Sequence, residues 1–166
     1  MSGREIVDAY VASWQDRDPE RIAGHFAEDG VRRWEIVVPP VLGGPHHFQG
    51  RAAIVAPIRN LLTAIPDLGL EVRGFGETED GGMLEWRHFG THTGAWNRWS
   101  PQGEPVEFSG VSVYRIAGDE IADECIYFDP DLLVREWAVP LGALASVGIG
   151  TLRAGRAIRR RRRSGG

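Results

Sequence analysis

The sequence predicts an α+β domain, and three observations lead there. Apolar residues recur at helical spacing through most of the first 64 residues. They alternate at strand spacing after residue 67. The two textures stay apart, with helices first and an antiparallel meander last, which is the segregated order of an α+β fold.

The elements follow in chain order. Residues 4–16 read as an amphipathic helix, with Ile6, Val7, Tyr10, Val11 and Trp14 on one face. Asp18 then Pro19 restarts a helix, Asp as N-cap and Pro at the first helical position. Ile22, Ala23 and Phe26 supply its apolar face, and Gly30 is expected to end it. A short strand is expected from Val31 to Val38. The Pro- and Gly-rich stretch PPVLGGPHHFQG reads as a loop. Arg51 to Ala64 reads as a third helix that presents Ile54, Val55, Ile58, Leu61 and Leu62, closed by the proline of IPD. Four strands follow in LGLEVRGFGETEDG, MLEWRHFGTHTGAW, VEFSGVSVYRIAGDE and IADECIYFD. Their turns are EDGG, PQGEP and AGDE. Asp129 and Pro130 then start a helix to about Trp137.

The chain of 166 residues fits one domain, expected over residues 1–140 and followed by a Gly/Ala-rich and then Arg-rich tail over 141–166. That tail buries few large apolar side chains, and its Arg run reads as a flexible, solvated end. Every basic residue is Arg, and seven of the 19 lie at or after Arg153, where no acid occurs. The preceding body has 12 Arg against 23 acids, a balance of −11, which argues against nucleic acid as a partner. No apolar run reaches the roughly 18 residues of a membrane span. The acidic, non-apolar N-terminus does not read as a secretory signal, and Cys125 is the single cysteine, so a cytoplasmic location is expected. A phosphate-cradling glycine loop, a GxSxG elbow and a cysteine nucleophile pattern are all missing.

Four segments carry a resemblance. YVASWQDRDPERIAGHFAEDG, from Tyr10 to Gly30, resembles the opening helices of nuclear transport factor 2-like domains. AIPDLGLEV, LEWRHFGTHTGAW and VSVYRIAGDEIADECIYFDPDLL are similar to segments of the SnoaL-like polyketide cyclases within that superfamily. The resemblance covers residues 4–137. It implies a cone-shaped fold, a curved antiparallel sheet wrapped around the N-terminal helices, whose concave face lines an apolar pocket. It also implies no metal, no cofactor, a homodimer, and an acid/base Asp near the end of the last strand, matched here by Asp129. Two related chemistries fit poorly. Limonene-type epoxide hydrolases need a second acid three residues before that Asp, where Ile126 stands. Steroid isomerases need an Asp base near residue 40, where the sequence is EIVVPPVLGG.

Strand alternation sorts the candidate residues. Leu84, Trp86, His88, Gly90 and His92 share one face, which reads as a pocket wall with few polar tips; a packed core face fits the same pattern. In the last strand, Asp123, Cys125, Tyr127 and Asp129 share one face, and Ala122, Glu124, Ile126 and Phe128 the other. Periodicity favours the second set as core, whereas the resemblance puts Asp129 in the pocket; a bulge near the strand end would reconcile the two. Asp129 before Pro130 is equally well explained as a helix N-cap. Trp34, Trp96 and Trp99 are candidate rim aromatics. His46 and His47 lie in the loop expected at the pocket mouth, without the carboxylate or Cys spacing of a metal site.

The reading that results is a cofactor-independent cyclase or isomerase for an apolar, enolisable, polyketide-like small molecule. Asp129 would move the proton and His92 would steady the enolate oxygen. Trp86, His88, Tyr127, Trp34 and His47 would bind substrate. The alternative is a non-catalytic domain that uses the same pocket for binding.

Overall fold

The computed structural model describes residues 1–35, 46–96, 100–101 and 103–128. The chain divides into a unit of Met1–Val37 with Pro45–Trp137 and another of Val38–Gly44 with Ala138–Gly166; every described residue belongs to the first. The terminal helix and the tail expected from the sequence, with Asp129 and Trp99, lie outside the described residues.

Helix α1 spans Gly3–Ser13 and is closed at its start by a capping box between Ser2 and Glu5. Ile6, Val7 and Tyr10 form its buried face, and a single 3₁₀ turn, Trp14–Asp16, adds Trp14 to it. Helix α2, Pro19–Ala23, starts as expected: Asp18 Oδ1 accepts the N–H groups of Glu20 and Arg21 at 3.0 and 3.1 Å. It ends seven residues before Gly30, because Phe26 already belongs to strand β1, Phe26–Trp34. Local helical spacing loses there to a long-range ladder, in which Phe26 pairs with Ile121 and Val31 with Asp123. Part of the expected loop is likewise a strand: β2, His47–Gln49, pairs with Val31–Arg33. Helix α3, Arg51–Ala64, has the expected bounds and buries Ile54 and Ile58.

The remaining strands are β3 (Gly69–Thr78), β4 (Gly81–Thr91), β5 (Pro105–Ala117) and β6 (Glu120–Phe128). The six form one curved sheet in the order β2-β1-β6-β5-β4-β3. All neighbours are antiparallel except β1 and β6, which run parallel. Register shifts interrupt the ladders after Phe26, after Val72 and between Arg115 and Ile116. Such bulges bend a strand and increase its twist, which curves the sheet. The third one doubles β6 against β5, so Ile121 and Glu124 both fall in register with the in-facing residues Ile116 and Tyr114. The helices pack on that face. Tyr10, Trp14, Ile22, Phe26, Ile54 and Ile58 join Leu84, Trp86, Phe108, Tyr114 and Ile126 in one core. Among the described residues no helix is long and apolar enough to cross a membrane.

Candidate functional site

The covered face carries an ion pair. Glu124 is 2% exposed and Arg32 6%. They are neighbours across the parallel β1–β6 ladder, and Tyr114 continues the row on β5. Glu124 Oε2 accepts from Arg32 Nε at 2.8 Å and from the Tyr10 hydroxyl at 3.2 Å. Its Oε1 accepts from Ser112 Oγ at 3.0 Å and from the Tyr114 hydroxyl at 3.1 Å. Four donors use the roughly four lone-pair directions a carboxylate has. Burying a charge this deeply is costly unless such partners surround it. Burial opposes the Arg32 charge as well, but Glu124 beside it holds the guanidinium pKa above its ordinary value.

Ser112 links this pair to an aromatic wall. Its Oγ accepts the indole Nε1–H of Trp86 at 2.9 Å while donating to Glu124. The Trp86 ring can lie across β5 only because residue 110 is glycine. A Cβ there would stand 2.5 Å from Trp86 Cζ2 and 2.5 Å from the Tyr127 carbonyl oxygen. His88 packs 4.9 Å from Trp86, 5.5 Å from Trp14 and 5.3 Å from Phe108, centroid to centroid. Its Nδ1 lies 3.2 Å from the Gly69 carbonyl oxygen. A carbonyl only accepts, so Nδ1 carries the proton and Nε2 keeps a lone pair. Burial lowers the His88 pKa to about 4, against the Gly69 hydrogen bond and with help from the Arg32 charge. The ring is therefore neutral at neutral pH.

The rings continue as an arc. Phe108 meets Phe128 at 6.4 Å, Phe128 meets Trp34 at 6.4 Å, and Trp34 meets Phe48 at 5.8 Å. Phe128, Trp34 and Phe48 are only partly buried. The arc thus runs from the enclosed Trp14 to a more open end, where β6 finishes one residue before Asp129.

The structure brings together three of the residues expected at the site: Trp86, His88 and Trp34. His92 is on the expected face, 1% exposed, but four residues further along the chain than His88. Its backbone closes the segment that follows β4, bonding the Glu104 carbonyl and the Gly103 N–H. Burial lowers its pKa, opposed by a hydrogen bond involving Gly94. Tyr127, expected as a second donor, is 46% exposed on the other face and stands apart from the group. His47 is exposed on β2, and its neighbour Phe48 meets Trp34 instead. Arg32, Glu124, Tyr10, Tyr114 and Ser112 were not singled out from the sequence. One signal for them was there: Glu124 is an acid at a position whose parity with Ile126 and Phe128 marks the covered face.

A family model described as SnoaL-like polyketide cyclase matches residues 4–135. The chain belongs to this family. SnoaL-like proteins share the observed fold of N-terminal helices on a curved sheet, and cyclases and isomerases occur among them. AclR from Streptomyces galilaeus, described as a candidate hydroxylase, is 23% identical with a TM-score of 0.67; the match covers 82% of this chain and 95% of that one. A candidate SnoaL-like polyketide cyclase from Jannaschia has 13% identity and a TM-score of 0.70, covering 83% and 92%. A phenazine biosynthesis-related protein from Pseudomonas aeruginosa has 19% identity and a TM-score of 0.67, covering 83% and 82%. At these identities the likeness is one of fold. A search among curated proteins finds no match. Asp129, for which the resemblance implies an acid/base role, follows Phe128 in the sequence and lies outside the described residues.

Proposed function

We propose that this SnoaL-like chain is a cofactor-independent cyclase or isomerase for an apolar, enolisable, polyketide-like carbonyl compound. The observation that carries the reading is the aromatic arc from Trp14 to Phe48, a run of tilted and edge-on rings with a single imidazole set into it and its partly buried end at Phe128, Trp34 and Phe48. A planar ring system stacks on such a wall, and His88 Nε2 accepts a hydrogen bond from a substrate hydroxyl. Asp129, the residue that follows Phe128 in the sequence, takes the proton from the carbon beside the carbonyl. An apolar wall beside this carboxylate would raise its pKa toward working pH, since burial disfavours the charged form.

One observation favours the second reading, a binding domain without chemistry. Glu124 is saturated by four donors and burial lowers the His88 pKa to about 4, which makes its imidazole a weak base, so neither is poised to take a proton from carbon. Asp129→Asn separates the two readings, because it keeps most of any helix cap and removes the base. Thermal-shift screening of planar polycyclic ketones and phenols identifies a ligand first. Turnover of an enolisable member should then fall at least about a hundredfold in Asp129→Asn, the lower end of what a general acid/base contributes, with the melting temperature held. Unchanged turnover would assign Asp129 to capping, and binding without turnover by the natural protein would favour the second reading.

A further inference from the structure

Among the described residues, Arg32 donates one of its five N–H groups to a protein acceptor. Nε donates to Glu124; among the described residues Nη1 and Nη2 donate to none. Neither nitrogen is among the fully enclosed, partnerless polar atoms of the described residues, and the residue as a whole is 6% exposed. The guanidinium lies over the Trp14 ring, Cζ 5.6 Å from its centroid, and Trp14 is also a neighbour of His88. A nearly buried cation is thus held by one edge and backed by an aromatic ring, and its fork of four N–H bonds meets no acceptor among the described residues. Polar hydrogens so placed are costly unless an oxygen meets them. The neighbouring imidazole cannot take the same part, since its one N–H is engaged by the Gly69 carbonyl.

We infer that Arg32 is the oxyanion-binding residue of this site, its Nη groups receiving the substrate oxygen on which negative charge develops. The inference rests on the enolising reading above. In that step the carbon–hydrogen bond beside the carbonyl breaks and its proton passes to Asp129. The electron pair forms the carbon–carbon double bond, and the carbonyl π pair moves onto oxygen. Arg32 transfers no proton; its Nη hydrogen bonds shorten and strengthen as the oxygen becomes an enolate. The enolate carbon then bonds to an acceptor carbonyl carbon, and Asp129 returns the proton to the new alkoxide. Glu124 suits this role. It balances the guanidinium at rest, so a neutral ketone enters without a charge mismatch, and with Tyr10 and Tyr114 it holds the fork in place.

The test uses two dyes of one shape and the full chain. The hydroxyl of 4-nitro-1-naphthol mimics the enolate oxygen when ionised and reports ionisation by its visible absorption; 1-nitronaphthalene lacks it. Both are titrated between pH 5 and 8. In the natural protein the naphtholate should bind at least about tenfold more tightly than the neutral naphthol, lowering the bound dye's pKa by about one unit or more. In Arg32→Met/Glu124→Gln, which removes both charges together, that preference should fall below about twofold while 1-nitronaphthalene binds as before. Should the double variant fail to fold, Arg32→Lys decides, since a point charge without the fork should lose most of the preference. Equal binding of the two naphthol forms, or a preference that persists in the folded variant, overturns the assignment and leaves the proposed binding at the aromatic arc standing. If 1-nitronaphthalene itself fails to bind the natural protein, the pocket reading falls and this inference with it.

Discussion

Gly110 shows how one absent side chain shapes the candidate site. The Trp86 indole lies over this residue, its register partner on β5, and its Nε1 reaches Ser112 two residues along the same strand. Alanine at 110 would put a methyl group 2.5 Å from the indole and 2.5 Å from the β6 backbone, and neither can move far in a paired sheet. Gly110→Ala should therefore cost about 1–3 kcal/mol, as overpacking does. It should also break the Trp86–Ser112 hydrogen bond. Urea unfolding measures the first effect, and a shift in tryptophan emission reports the second. An alanine variant as stable as the natural protein would mean that the indole does not lie there. Trp86 and His88 were legible in the sequence from alternation alone, because period-two spacing decides which face a residue takes. The glycine opposite them was not, since register between strands has no local signature.

At the scale of elements, capping chemistry reads well and long-range pairing does not. Helix α2 has only five residues, too few to hold themselves, so its start depends on Asp18. Asp18→Ala removes the acceptor for two backbone N–H groups and should lower stability by about 1 kcal/mol. Asp18→Asn should recover most of it, and chemical denaturation of the three proteins checks both. Asp18-Pro19 was visible in the sequence because a cap and its first turn are neighbours along the chain. The end of α2 was not visible. Phe26 to Gly30 could continue a helix by spacing, yet the segment pairs with β6, some ninety residues away. His47–Gln49 became a strand for the same reason, since β1 offered it a free edge.

At the scale of the whole molecule, the core holds titratable groups in fixed states, and stability should follow pH accordingly. Burial depresses the His88 pKa from its ordinary value to about 4, so folding favours the neutral ring. Between these two values the unfolded chain binds a proton that the folded protein refuses. The stabilisation is thus full above the unfolded pKa of about 6.5 and is lost as pH falls toward about 4. Denaturation midpoints should decline across that window, above the range where most carboxylates titrate. His88→Gln, which has no charge to gain, should flatten the decline. An equal slope in the two proteins would show that His88 is not the group responsible.

What the sequence determined by itself is what short-range periodicity and local chemistry carry: the segregated α+β order, the span of α3, the cap of α2, and the face to which Trp86, His88 and His92 belong. The family followed from segments in order along the chain. What only the tertiary structure decided is the polar centre. Arg32, Glu124, Tyr114, Ser112 and Tyr10 come from three strands and a helix, and they meet only once β1 lies parallel to β6 and a bulge sets Glu124 opposite Tyr114. A buried charge is tolerable only with its partners already around it. Its place therefore depends on how distant segments pair, and no local pattern in the chain encodes that.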